Sequence, residues 1–292
     1  MLELEHATIG FAGIGVMGNG MVGNLIRSGY HVHVYSRTKS KAEKVIGLGA
    51  IWRDSVADLV EKANAVITMV GYPKDVEEIY LNDQGIIRHA NPGTVLVDMT
   101  TSSPSLAKRI YEEATKRRLY SLDAPVSGGD IGAREATLSI MVGGDREVFE
   151  AVRPVFLAMG KNIVHQGAAG SGQHTKMCNQ IAIASNMIGV CEALVYARRS
   201  GLDPITVLKS IETGAAGSWS LSNLGPRIIN HDFDPGFYVK HFIKDMRIAL
   251  QSAKEMGLET PGLSLAESLY GQLAEMGEGE SGTQALYKLI DS

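Results

Sequence analysis

Cysteine is nearly absent from this chain: 292 residues hold only Cys178 and Cys191. Both fall in one helical stretch at a spacing that suits no disulfide, so they read as reduced thiols of a cytosolic protein. Excess charge is lacking too. Lys and Arg total 28 against 32 Asp and Glu, a net charge of −4. That balance gives no electrostatic ground for nucleic acid or an anionic membrane as partner. The opening Met1-Leu2-Glu3-Leu4-Glu5-His6 carries acids where a secretory signal needs a basic region. No uninterrupted apolar run reaches the roughly 20 residues that span a bilayer. Internal repeats, low-complexity tracts and metal-ligand spacings are missing as well. These absences predict a soluble cytoplasmic protein with no metal site.

What is present is ordinary globular material, 45% hydrophobic and 21% charged, in a chain longer than one usual domain. Two domains are expected, 1–166 and 167–292.

The most informative segment is Gly13-Ile14-Gly15-Val16-Met17-Gly18. It lies between a strand candidate, Ala7 to Phe11, and a helical pattern through Met21, Leu25 and Ile26 that ends at Ser28-Gly29. The alternating His31-Val32-His33-Val34-Tyr35 follows. Strand, glycine turn, helix and strand form the context in which G-x-G-x-x-G cradles a dinucleotide pyrophosphate. Gly13 makes the tight turn, Gly15 admits the phosphates, and Gly18 allows close packing of helix on strand.

An NAD site usually carries an acid about 20 residues beyond the glycines, on the adenosine ribose. Here the second strand ends Tyr35-Ser36-Arg37-Thr38-Lys39, without one. Arg37 offers a forked cation and Ser36 and Thr38 offer hydroxyls, a set that suits a 2′-phosphate. The plainer reading is a solvated helix start. The missing acid favours NADP, with NAD as the other possibility.

The alternation continues through Ala65 to Val70 and Thr94 to Met99, uniform apolar runs of the buried parallel-strand type. A short helix from Asp75 to Tyr80 lies between them, and a longer one runs from Pro104 to Arg118. Further strands, Leu119 to Asp123 and Ser139 to Gly143, extend the sheet to about Val164. Ligands of such sheets bind beyond the carboxyl ends of the strands. Val70 and Gly71, and Thr101 in the next loop, are therefore candidates for lining a cofactor site, or plain turn residues. Asp123-Ala124-Pro125-Val126-Ser127-Gly128-Gly129 also follows a strand. Successive N–H groups and a hydroxyl at Ser127, Gly128 and Gly129 can hold a carboxylate; chain reversal alone is the alternative.

From Gly167 the character changes to helix. Past Gly170 and Gly172, helical patterning runs to Ser200, about 45 Å if unbroken. Lys176, Asn179 and Gln180 share one face near its start. A lysine opposes the helix field at that end, a field that eases proton release and suits a general acid. A solvated lysine beside a capping amide is the alternative. Helices are then expected at Pro204 to Thr213, Leu221 to Ile229, Val239 to Met256 and Pro261 to Met276. Met1 to Glu5 and Gly277 to Gly282 read as the mobile segments.

Four segments in this order resemble the β-hydroxyacid dehydrogenase family: Gly13 to Gly18, Asp123 to Gly129, Gly170 to Asn179, and Lys244-Asp245-Met246. That family includes 3-hydroxyisobutyrate dehydrogenase, tartronate semialdehyde reductase and the glyoxylate/succinic semialdehyde reductases. The resemblance implies a doubly wound α/β Rossmann domain followed by an all-α domain, linked by a long interdomain helix, in a homodimer or homotetramer. It also implies that Lys176 is the catalytic acid/base and that Asn179 holds substrate. Ser127, Gly128 and Gly129 would bind the substrate carboxylate, and Lys244 would line the nicotinamide side. Two features depart from or refine the pattern. Gln180 stands where a second asparagine is usual, one methylene longer within the substrate set. Ser36-Arg37-Thr38 looks like the NADP-using semialdehyde reductases. The expected activity is NADP-preferring interconversion of a small 3-hydroxy acid and its semialdehyde. A non-catalytic NADP-binding module is disfavoured because Lys176 is kept. A 6-phosphogluconate dehydrogenase is disfavoured because such chains are longer and no sugar-phosphate site follows Gly129.

Overall fold

Strand and helix alternate through the first half of the computed structural model, which describes Leu4 and residues 7–292. Of the N-terminal stretch expected to be mobile, Met1 to Glu5, all but Leu4 lies outside the described residues, and Leu4 is buried in a core. β1 (Thr8–Ala12) passes through the glycine turn into α1 (Val16–Arg27), and β2 (His31–Tyr35) follows. α2 (Glu43–Gly47), β3 (Ile51–Trp52) and α3 (Val56–Glu61) precede β4 (Ala65–Thr68). Next come α4 (Pro73–Leu81), α5 (Ile86–His89), β5 (Val95–Asp98), α6 (Pro104–Lys116) and β6 (Tyr120–Asp123). β7 (Val126–Ser127), α7 (Gly129–Glu135), β8 (Leu138–Gly144), α8 (Arg146–Leu157) and β9 (Gly160–Gly167) complete the series.

The strands assemble in the order β3-β2-β1-β4-β5-β6-β8-β7, with β9 against β8. β1 to β6 pair in parallel, whereas β8 runs antiparallel to β6 and β7. Every residue of β4 and β5 is buried; the apolar residues 65–67 and 95–97 suit a sheet covered on both faces, and Thr68 and Asp98 end the strands as buried polar groups. Alternate side chains feed opposite cores. Ile9 and Phe11 pack with Met21 and Leu25 on one face; Ala12, Val66 and Leu96 pack with Leu59, Tyr80 and Ile110 on the other. Strand order reverses direction between β1 and β4, the switch point outside which such sheets bind ligands.

The chain divides into two compact units, 1–176 and 177–292, and the division falls inside α9 (Ser171–Arg199). α10 (Pro204–Ile211), α11 (Trp219–Ile229), α12 (Val239–Glu255), α13 (Pro261–Glu275) and α14 (Leu286–Ile290) follow. Met187, Cys191 and Leu194 of α9 pack there with Phe242, Met246 and Tyr270. α9 is long and apolar enough by composition to cross a bilayer, with a window of mean hydropathy 1.4. Within it, Ala184, Met187, Ile188, Val190, Cys191 and Leu194 are taken up by the helical core. The Gly277 to Gly282 segment carries a 3₁₀ turn, Glu278–Glu280, in which Glu278 meets Lys288 at 2.7 Å, and the Gly282 N–H donates to the Phe233 carbonyl at 2.8 Å.

Candidate active site

The glycine turn shows three different demands on its three glycines. Gly13 has φ +104°, and a Cβ there would stand 2.2 Å from the Met69 carbonyl oxygen. A Cβ on Gly18 would stand 2.2 Å from the Gly13 oxygen. Gly15 meets neither limit: nothing lies within 4 Å of its missing Cβ. It is the N-cap of α1, with no side-chain capping bond and no acid in the first turn. Open space at the uncapped, positive end of a helix fits a dinucleotide pyrophosphate. Val16 and Met17 form the first helical turn beside it.

Ser36, Arg37 and Thr38 follow β2 directly. The Arg37 side chain is 79% exposed, and its guanidinium meets Asp75 of α4 at 3.1 Å. Val70 and Gly71 leave the end of β4, and Thr100, Thr101 and Ser102 leave the adjacent end of β5. The Val70 N–H donates to Thr100 Oγ1 at 3.0 Å, joining these two loops.

Beneath the loops lies a buried acid. Asp98 Oδ1 accepts from Thr68 Oγ1 at 2.8 Å and from the Thr100 N–H at 3.1 Å. Burial pushes its carboxyl up to about 6; those hydrogen bonds oppose the rise, and Asp123 adds to it. The folded state thus binds the proton more tightly than the unfolded chain. The stabilisation from this group is full below about pH 4 and is lost as pH rises through about 6. Asp98→Asn keeps an acceptor and never ionises. Its Tm relative to the parent protein is therefore expected to rise between about pH 4 and 7. A constant difference over that range would contradict the assignment.

Asp123, at the end of β6, organises the start of α9. Its Oδ1 accepts the Gly170 N–H at 2.7 Å and its Oδ2 the Gln173 N–H at 2.8 Å. A residue distant in sequence thus supplies the cap that Gly170 cannot. Burial raises the Asp123 carboxyl, and these backbone bonds pull it back. Gly172 permits the approach, since a Cβ there would stand 2.4 Å from the Met141 oxygen. Gln173 is fully buried. Its Oε1 accepts the Ser102 N–H at 2.9 Å and its Nε2 donates to the Thr100 carbonyl at 2.7 Å. The loop after β5 is therefore stitched to the turn that precedes Lys176, itself buried with 6% exposure.

Ser127 ends β7, half-buried and paired with Ser139 of β8. Gly128 and Gly129 take φ +129° and +63°, the region that glycine reaches without strain. α7 begins at Gly129 and packs on α1, with Asn24 Nδ2 donating to the Ala133 carbonyl at 2.7 Å. The loop that the sequence selects for a carboxylate thus adjoins the helix that follows the glycine turn.

In the second unit a polar chain links the remaining candidates. Asn179 Nδ2 donates to Gln180 Oε1 at 2.7 Å, and Gln180 Nε2 donates to Asp245 Oδ2 at 2.6 Å. Lys244 Nζ meets Asp245 Oδ1 at 2.9 Å. Gln180 and Asp245 are both buried, and the longer side chain of Gln180 spans from Asn179 to the carboxylate. Sequence reasoning did not assign roles to Asp75, Asp123, Gln173 and Asp245. The last three sit inside segments it had already selected, which was the available signal.

Residues 8–167 match the family described as the NAD binding domain of 6-phosphogluconate dehydrogenase. Residues 170–290 match that of the NADP-dependent 3-hydroxyisobutyrate dehydrogenase. The chain is 64% identical to an uncharacterized oxidoreductase, YkwC, of Bacillus subtilis, over 97% of this chain and 98% of that one. It is 38% identical to the 2-hydroxy-3-oxopropionate reductase of Escherichia coli, over 97% of each. A structure of the Mycobacterium tuberculosis 3-hydroxyisobutyrate dehydrogenase with L-serine superposes with TM-score 0.91 at 31% identity, covering 99% of this chain and all of that one, 100%. An open pyrophosphate cradle on a 3-2-1-4-5-6 sheet, a buried lysine on the long helix, and relatives matched end to end lead to one conclusion. The chain belongs to the β-hydroxyacid dehydrogenase family, whose enzymes oxidise hydroxyl groups or reduce the matching carbonyls with a nicotinamide cofactor.

Proposed function

We propose that the protein is an NADP-preferring enzyme interconverting a small 3-hydroxy acid and its semialdehyde, with Lys176 as the acid/base. The observation that carries this reading is the fixed, buried setting of Lys176. Asp123 and Gln173 hold the first turn of α9 against β6 and the loop after β5. The nicotinamide, when bound, supplies the hydride for reduction and accepts it in oxidation. Lys176 Nζ then gives its proton to the oxygen of the reduced carbonyl, and in oxidation takes the hydroxyl proton. Its positive charge also stabilises that oxygen as negative charge develops on it. Gly13, Gly15 and Gly18 accommodate the pyrophosphate, with Val70, Gly71 and Thr101 beside the cofactor and Lys244 toward the nicotinamide.

Ser36, Arg37 and Thr38 supply the preference for the 2′-phosphate, through a forked cation and two hydroxyls. Ser127, Gly128 and Gly129 hold the substrate carboxylate, and Asn179, steadied by Gln180, adds a hydrogen bond to substrate. The names of the Escherichia coli and Mycobacterium tuberculosis relatives support this substrate class, and L-serine in the latter is itself a 3-hydroxy acid.

The testing experiment is a kcat/KM panel with NADPH over succinic, tartronate and methylmalonate semialdehydes and glyoxylate, each beside its methyl ester. Acids are expected to exceed esters clearly, because an ester leaves these donors poorly paired once substrate covers them, at a cost of about 1–3 kcal/mol. The penalty should reach kcat as well as KM, since the carboxylate also orients the carbonyl. Ser127→Ala should narrow the gap. Esters turned over as efficiently as acids would assign the loop another role.

A further inference from the structure

Although β2 ends without an acid, the fold brings one to it from another element. Asp75, in the first turn of α4, places Oδ1 at 3.1 Å from Arg37 Nη1. Its Oδ2 accepts the Tyr72 N–H at 3.1 Å, so the carboxylate is fixed as part of the α4 cap. The two partners differ in setting: the Asp75 side chain is 18% exposed, against 79% for Arg37. A Cβ on Gly71 would stand 3.3 Å from Asp75 Oδ2, so glycine leaves the carboxylate its place. In a doubly wound sheet the end of this strand is where the adenosine ribose lies.

We propose that Asp75 is the carboxylate of the adenosine-ribose subsite. It competes with a 2′-phosphate for Arg37 and so narrows the preference for NADP(H) over NAD(H). This inference rests on the Arg37 reading above. Arg37 has five donors and serves two anions at once, which keeps it attractive to the phosphate. The fixed charge of Asp75 subtracts from that attraction, because like charges a few ångströms apart repel even near water. With NAD(H) the ribose presents only hydroxyls and no repulsion arises. Preference then follows from two residues of opposite sign on different elements, one attracting and one opposing.

Asp75→Asn keeps an oxygen for the Tyr72 N–H and removes the charge; Asp75→Ser does the same with a shorter side chain. Dissociation constants for NADPH and NADH, read by cofactor fluorescence, test the inference. In both variants NADPH is expected to tighten about three- to tenfold while NADH changes less than about twofold. The gain should shrink in roughly 0.5 M salt. Arg37→Asp is measured alongside. If it weakens NADPH while both Asp75 variants leave the NADPH-to-NADH ratio within about twofold of the parent or lower it, the Asp75 proposal alone is overturned. If Arg37→Asp leaves NADPH binding intact, the Arg37 reading and the Asp75 proposal fall together.

Discussion

Replacing Lys176 by alanine is expected to lower turnover about a hundredfold or more, the usual contribution of a positioned general acid. NADPH binding should change little, because the glycine turn, β2 and the loops after β4 and β5 are untouched. The large effect follows from the chemistry of reduction. Without the ammonium, negative charge develops on the carbonyl oxygen with no proton donor at hand. Buried surroundings make a replacement by bulk water inefficient, and Lys176 is 6% exposed. Lys176→Arg keeps charge with a different reach and should restore little. Steady-state kinetics with a parallel binding titration checks this, and retention of a tenth or more of turnover would remove Lys176 from the acid/base role.

Arg37→Asp has the next largest expected effect, confined to one cofactor. It removes a charge-assisted bond to the 2′-phosphate, worth roughly 1.5–3 kcal/mol, so NADPH binding should weaken by about one to two decades. The substituted carboxylate also joins Asp75, which stands 3.1 Å from the native guanidinium. Two acids would then face the phosphate. NADH lacks that phosphate and should bind nearly as before, and fluorescence titration of both cofactors separates the cases. Equal affinity of the parent protein for NADH and NADPH would sink the NADP preference.

The parts of the fold visible in the sequence are those with strong periodicity or uniform burial. β4 and β5 are apolar up to their last residues, Thr68 and Asp98, and the pattern through Ile26 marks α1. The 29-residue α9 is Ala-, Ile- and Met-rich with no proline. Elements that escaped are short or irregular. β3 and β7 have two residues each, too few to show an alternation. α7 starts inside Ser127-Gly128-Gly129, where glycines at positive φ read as loop.

The site was legible as a set of motifs but not as a set of contacts. Arg37 and Asp75 are 38 residues apart, Asp123 and Gly170 are 47, and Gln180 and Asp245 are 65. Each contact depends on how separate strands and helices pack, which local pattern does not encode. The absent acid at the end of β2 is the clearest case. It is a true statement about sequence, while in three dimensions α4 supplies a carboxylate.

Hydride transfer between a nicotinamide and a carboxylate-bearing aldehyde, completed by Lys176, is traced by deuterium. NADPH labelled on the transferred position of nicotinamide C4 is followed into product, by mass spectrometry and NMR, across the four aldehyde acids. At least one hydroxy acid is expected to carry deuterium on the carbinol carbon, and almost none when Lys176→Ala replaces the parent enzyme. Firm NADPH binding without a labelled hydroxy acid from any of the four would contradict that transfer.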